Sequence, residues 1–186
     1  MTTGREVFDA IRERDIELLQ SLSAQGVFTL PANPEFLNFA LACAVDEGEV
    51  AIAALLLEHG ADPNDAHLLP DGSLAKVPLV TAIARKDPPM VRLLLSRGAD
   101  ANARMEDGDT LLHMAVRTAV LADNKAMDRL NREFEIIRSL LQAGADPSIA
   151  NARGVDPLYL AECDGNQNVI ELLRGEITER ERLRVA

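Results

Sequence analysis

Three leucine runs in this chain end on the same three residues. Leu55 to Leu57 leads to Gly60-Ala61-Asp62, Leu93 to Leu95 leads to Gly98-Ala99-Asp100, and Leu140-Leu141 leads to Gly144-Ala145-Asp146. Each stretch, "EVAIAALLLEHGAD" (49–62), "PMVRLLLSRGAD" (89–100) and "FEIIRSLLQAGAD" (134–146), predicts a helix whose apolar stripe stops at a glycine in the left-handed conformation that closes a helix. A shorter helical stretch precedes each one: "FALACAVDEG" (39–48), "VPLVTAIARK" (77–86) and "TLLHMAVRTA" (110–119). A unit that repeats in this way cannot bury its apolar face alone and must stack on copies of itself.

Composition agrees with stacked helices. Apolar residues make up 47% of 186 positions, yet there is no Trp, one Tyr and five Phe, so the core rests on Leu, Ala, Val and Ile. No apolar stretch approaches the ~18 residues of a membrane span, and the opening "MTTGREVFDAIRERD" carries charges where a signal peptide needs its apolar segment. The expectation is a soluble, unexported, cytoplasmic protein that is monomeric when free. Cys43 and Cys163 lack metal or redox spacing and are read as reduced packing residues.

The repeat resembles the ankyrin repeat, whose pattern is roughly Asp-Gly-x-Thr-Pro-Leu-His-x-Ala, a second helix, then Gly-Ala-Asp-x-Asn. Residues 107–115, "DGDTLLHMA", follow it with Leu111 in place of proline; "VPLVTA" (77–82) keeps Pro78 and Leu79, and "GVDPLYLA" (154–161) keeps Pro157, Leu158 and Ala161. Counting back from Gly26 places residues 5–26 in the same frame, with Ala10 in register with Ala44, Ala82, Ala115 and Ala161. The resemblance implies an all-α fold, an α-solenoid of about five helix-turn-helix repeats with β-hairpin or loop fingers and degenerate end repeats. It would form one domain over 1–186, with units at about 4–34, 35–73, 74–106, 107–152 and 153–186. The last unit runs into "RGEITERERLRVA", whose alternating Glu and Arg suit a solvated helix. The rich content of Ala, Asp and Arg points to a small bacterial protein.

Insertions in repeat proteins map to loops, often on the binding face. From Gly26 to Gly60 is 34 residues, from Gly60 to Gly98 is 38 and from Gly98 to Gly144 is 46, against a usual period of about 33. The first sizeable excess falls in the finger "DAHLLPDGSLAK" (65–76), where Leu68, Leu69 and Leu74 form an apolar tip that either folds back or makes contact with a partner. The larger one lies between the helices of the fourth unit. There Asp123-Asn124 reads as a break, and Met127, Leu130 and Phe134 fall at helical spacing, predicting a hairpin about two turns taller.

Charge is distributed unevenly. The net charge is -11, and no Lys or Arg occurs between Arg14 and Lys76, a stretch holding Asp15, Glu17, Glu35, Asp46, Glu47, Glu49, Glu58, Asp62, Asp65 and Asp71. Such a field repels nucleic acid and anionic membranes and steers basic partners. Part of it is structural, with Asp62, Asp100 and Asp146 expected to cap their own loops. In the ankyrin frame the variable contact positions carry Glu35, Asn38, Asp46 and Glu47 in the second unit and Lys76, Thr81 and Arg85 in the third. The fourth contributes Glu106, Asp107, Asp109 and Arg117, and the fifth Arg153 and Asp164.

Catalytic patterns are sparse. His113 stands at the family's histidine, whose implied role is a hydrogen bond to the backbone of a neighbouring loop, while His59 and His67 belong to other places. "SLAK" (73–76) matches Ser-x-x-Lys only within a finger, and "DPNDAH" (62–67) lacks the later ligands of a calcium loop. No metal, phosphate or other cofactor motif is present in the sequence, and no enzyme is expected. The expected function is a protein-binding module: a stoichiometric inhibitor, immunity protein or adaptor for a basic partner. A scaffold or secreted effector that binds a host protein is the alternative, followed by an enzyme whose site combines Asp109, His113 and Arg117.

Overall fold

A leucine run stops being helical where the backbone can turn back on its own last carbonyls. The computed structural model describes residues 4–25, 34–66, 77–105, 107–120 and 127–185. Ten helices lie among these: α1 Gly4–Glu13, α2 Ile16–Ala24, α3 Pro34–Glu47, α4 Val50–Glu58, α5 Pro78–Ala84, α6 Pro88–Ser96, α7 Leu111–Val120, α8 Met127–Gln142, α9 Pro157–Asp164 and α10 Gln167–Val185.

The Gly-Ala-Asp motif divides its work among three residues. Gly60, Gly98 and Gly144 adopt φ of 93°, 90° and 95°. Their N–H groups donate to Leu57, Leu95 and Leu141, and the N–H groups of the following alanines donate to Leu56, Leu94 and Leu140, at 2.9 to 3.2 Å. This double closure satisfies carbonyls that a bare helix end leaves unpaired. Ala61, Ala99 and Ala145 are buried. Each aspartate then accepts from the backbone two residues on: Asn64 N–H to Asp62 at 2.8 Å, Asn102 N–H to Asp100 at 2.9 Å and Ser148 N–H to Asp146 at 2.9 Å. These are the loop caps expected from the sequence.

A second turn joins the helices within a pair. Its left-handed residue is Arg14 (φ 58°), Gly48 (φ 78°), Lys86 (φ 57°) or Gly165 (φ 70°). After Arg14 and Gly165 the next side chain caps the following helix, Asp15 accepting from Leu18 N–H at 2.8 Å and Asn166 from Val169 N–H at 3.3 Å.

The chain divides into two compact units. The first comprises Met1–Arg85 and Pro89–Ala99. In it α1, α3 and α5 stack side by side and α2 lies beside α4. Ala10, Ala44 and Ala82 are fully buried along the stack, small enough to let the helices approach, and Leu19, Leu41, Ile52, Leu56, Leu79, Ile83 and Leu94 fill the interior.

The second unit comprises Lys86–Pro88 and Asp100–Ala186. Here α7 packs on α8 and α9, and α10 on α9 and α8, around Leu111, Leu112, Val116, Ile136, Ile137, Leu140 and Leu173. A one-bridge antiparallel finger pairs Arg104 with Thr110, and among the described residues it is the only β pairing. Gly108 at its tip (φ 80°) lies so close to the next loop that a Cβ would sit 2.9 Å from Ala152 N. α8 is 16 residues long against nine each for α4 and α6, about two turns more, as expected for that helix; matching growth of α7 beyond Val120 falls outside the described residues. The expected break at Asp123-Asn124 lies outside the described residues, as do residues 67–76 of the long finger.

Cys163 corrects an expectation. It is exposed, whereas Cys43 is half-buried; both are free thiols. In repeat register Ala161 is the core position of α9, so Cys163, two residues on, points away from it. The same outer side of α9 shows Tyr159, 56% exposed, and Glu162 bonded to Arg174 at 2.7 Å. At the matching places in α7, His113 and Val116 are buried.

The two kinds of glycine predict opposite signs. Gly144 has open space where a Cβ would go, so Gly144→Ala should cost about 1–2 kcal/mol through its backbone conformation alone. Gly175, inside α10 and also uncrowded, should gain about 0.5–1 kcal/mol on substitution by Ala. Urea unfolding of both variants checks this, and the same sign for both would contradict it.

Candidate partner-binding surface

The side chains expected to meet a partner fall into three groups. Leu68, Leu69, Leu74, Lys76 and Glu106 lie outside the described residues. Glu35, Asp46, Glu47, Arg85, Asp107, Arg153 and Asp164 are exposed, while Thr81 and Arg117 are half-exposed. Asn38 and Asp109 are buried, at 8% and 0% exposure, and serve the interior instead.

Asn38 is a structural staple. Its Oδ1 accepts from Asp62 N–H at 2.7 Å, and its Nδ2 donates to Asp65 at 2.6 Å. In the second unit Asn102 does the same task from a loop: its Oδ1 accepts from Asp146 N–H at 2.8 Å and its Nδ2 donates to Gly144 O at 3.2 Å. The first repeat lacks Gly-Ala-Asp-x-Asn, since Gly26 is followed by Val-Phe-Thr. A helix residue therefore supplies the amide that a loop residue supplies elsewhere.

The acidic stretch is partly neutralised by arginines from outside it. Arg14 meets Glu49 at 2.9 Å, Arg97 meets Glu58 at 3.0 Å and Arg85 approaches Asp46 at 3.5 Å. Pairs this exposed contribute little stability, about 0–1 kcal/mol each, but they reduce the outward field. At the α3 end Asp46 and Glu47 are both exposed, Asp46 within reach of Arg85. Their charge reaches Cys43, whose thiol is pushed up to about 11, first by burial and then by these two carboxylates. The thiol thus stays protonated and a poor nucleophile.

In the second unit Asp109, His113 and Arg117 do come together. Asp109 accepts from Asn151 Nδ2 at 2.6 Å and pairs with Arg117 through its other oxygen. Burial alone would raise its carboxyl; the hydrogen bonds from Asn151 and Arg117, with the charge of Arg117, outweigh this and hold it below the usual range. His113 is buried, with Nδ1 facing Thr110 N–H at 3.1 Å and Oγ1 at 2.8 Å, and Nε2 facing Val155 O at 2.9 Å. Nδ1 accepts from the Thr110 amide, so Nε2 carries the proton given to Val155 O. Both ring nitrogens are engaged, as the resemblance implied. This is a support that ties α7 to the loop of the fifth repeat.

Two residues escaped sequence reasoning. Asn151 orders the fifth unit's loop, accepting from Arg153 N–H at 2.9 Å and Val155 N–H at 3.1 Å as well as bonding Asp109. Glu133 is buried on α8. Its signal was present: an acid between Leu130 and Ile137 on the apolar phase of the helix. Among the described residues no group of three or more His, Cys, Asp or Glu could hold a metal, and no helix is long and apolar enough to cross a membrane.

Paired helices closed by a double-bonded glycine and stapled loop to loop define an all-α repeat protein. The chain belongs to the ankyrin repeat family: the model described as "Ankyrin repeats (many copies)" matches residues 68–115, and that described as "Ankyrin repeat" matches 37–67 and 107–152. The B-cell lymphoma 3 protein homolog of Mus musculus is 34% identical over 159 residues, 86% of this chain and 31% of that protein. A putative ankyrin repeat-containing protein of Treponema pallidum is 37% identical over 98 residues, 53% of this chain and 30% of that one. The intracellular phospholipase A2 of Caenorhabditis elegans is 33% identical over 86 residues, 46% of this chain but 7% of that protein. The chain thus spans a third or less of the length of these relatives.

Asn38→Ala should lose about 0.5–1.5 kcal/mol in urea unfolding by removing the acceptor of the Asp62 N–H, whereas Asp46→Ala should change stability by less than about 0.5 kcal/mol; equal losses would return Asn38 to the surface. For Asp109, a lowered carboxyl stabilises above its unfolded value of about 3.9, and that stability is lost as pH falls through the folded value. Wild type should therefore exceed Asp109→Asn in thermal stability at neutral pH, with the gap closing below about pH 4. A gap independent of pH would contradict the assignment.

Proposed function

We propose that this ankyrin repeat chain is a stoichiometric protein-binding module, an inhibitor, immunity protein or adaptor, that takes a basic partner at the acidic end of α3. The observation that carries this reading is the exposure of Asp46 and Glu47 beside a stretch without any basic residue. Long-range attraction would speed encounter, and contacts made by neighbouring Thr81 and Arg85 would set selectivity. Glu35 belongs to the same face by repeat position. In the second unit Asp107, Arg117, Arg153 and Asp164 offer mixed charge suited to a partner's polar rim. The apolar finger residues Leu68, Leu69 and Leu74, with Lys76 and Glu106, extend the proposed surface.

A monomeric cytoplasmic protein fits this reading. A small bacterial source is favoured by the composition and by the Treponema pallidum likeness, while the mouse likeness weighs against it. A second reading is a scaffold or secreted effector that binds a host protein. An enzyme at Asp109, His113 and Arg117 is disfavoured, since their polar groups are occupied by internal bonds.

The test uses a basic probe, a deca-lysine peptide, with binding followed by stopped-flow fluorescence. Asp46→Lys/Glu47→Lys should slow association at least about tenfold at low salt and flatten its dependence on ionic strength. Unchanged association and salt slope would remove the steering role.

A further inference from the structure

Three arginines reach the acidic stretch of the first unit, and they do not hold it equally. Arg14 meets Glu49 at 2.9 Å, and Arg97 meets Glu58 at 3.0 Å while also donating to Ala54 O at 3.4 Å. Among the described residues the Arg85 guanidinium makes one polar contact, Nη1 to Asp46 Oδ1 at 3.5 Å, the outer limit of a hydrogen bond. The loosest of the three pairs sits where the proposed function puts a basic partner.

Local structure explains the looseness. Arg85 closes α5 through its backbone, the N–H donating to Thr81 O at 3.0 Å, so the turn makes no use of its side chain. From there the side chain crosses to the last turn of α3, the helix packed beside α5. Arg85 and Asp46 keep 44% and 56% of their side chains in solvent, so water screens the pair and competes for both groups. The last turn of α3 holds no basic residue of its own, and its carbonyl end favours a cation. Glu47, the next residue, is also exposed.

We propose that Arg85 is an autoinhibitory placeholder, its guanidinium occupying Asp46 until a partner's cations displace it. This rests on the reading of α3 as the end that docks a basic partner. An isolated cation gains little there, because it exchanges one weak ion pair for another. An array of cations gains more, since its first charge releases Arg85 and its next meets Glu47. Arg85 thereby sets a threshold that favours a partner with clustered Lys or Arg over a protein with scattered ones. Once displaced, its side chain turns to water from a backbone that stays capped.

Fluorescence anisotropy with dye-labelled deca-lysine at low salt tests the placeholder, with Arg97→Ala as the control for charge. Arg85→Ala and Arg97→Ala each make the net charge of -11 more negative by one. Arg85→Ala should tighten binding about threefold more than Arg97→Ala does, and Arg85→Gln should match it. In Asp46→Ala protein, where the guanidinium has nothing to occupy, Arg85→Ala should gain no more than Arg97→Ala gains in that background. Equal gains when Asp46 is present, or an excess that persists without Asp46, would overturn the placeholder. Charge reversal separates this proposal from the reading beneath it. If Asp46→Lys/Glu47→Lys binds deca-lysine as wild type does, the docking reading falls and the placeholder falls with it. If the reversal weakens binding while Arg85→Ala matches Arg97→Ala, the placeholder alone is wrong.

Discussion

The fold depends on how each second helix stops. A glycine at φ near 90° turns the chain so that two backbone N–H groups return to the last leucine carbonyls, and the next alanine drops into the core. The aspartate that follows then fixes the loop. This loop is the part of the repeat that meets its neighbour through hydrogen bonds rather than apolar surface. An asparagine side chain crosses to it, accepting from the aspartate N–H, and the two loops become one hydrogen-bonded strip. Apolar burial is non-directional and would permit helices to slide. The amide bonds define the register.

This explains why some changes are tolerated and others compensated. The first repeat lacks the Gly-Ala-Asp-x-Asn motif, and α3 supplies Asn38 for the same bond. Two inter-helix turns carry Arg14 and Lys86 where glycine would sit without strain, and both of these cations find a glutamate. The last repeat shows Glu162 and Tyr159 where α7 buries Val116 and His113. Local rules are broken at these places, and in each case a polar contact or exposure to water accounts for the departure.

Much of this was legible in the sequence because it is periodic. The leucine runs gave the helices, the glycines their ends, and the match around His113 anticipated a bond to a neighbouring backbone, made to Val155 O. What could not be read was the direction of individual polar side chains. Asn38 and Asp46 lie eight residues apart on one helix and looked equivalent as surface residues; one is 8% exposed and the other faces water. Their roles depend on a loop more than twenty residues away, which periodicity does not encode. The Arg85, Arg14 and Arg97 pairings likewise join residues distant in sequence, so a stretch that reads as uniformly acidic is partly neutralised in the folded chain.

The most direct measurement is amide hydrogen exchange by NMR at Asp62 and Asp146, whose N–H groups bond to asparagine side chains and not to helix carbonyls. If the asparagine staples hold the loops, both amides should open only with the cooperative core and show protection close to that of Leu56 and Leu140. Exchange at the rate of an exposed loop would mean that apolar packing alone sets the register and would contradict the account.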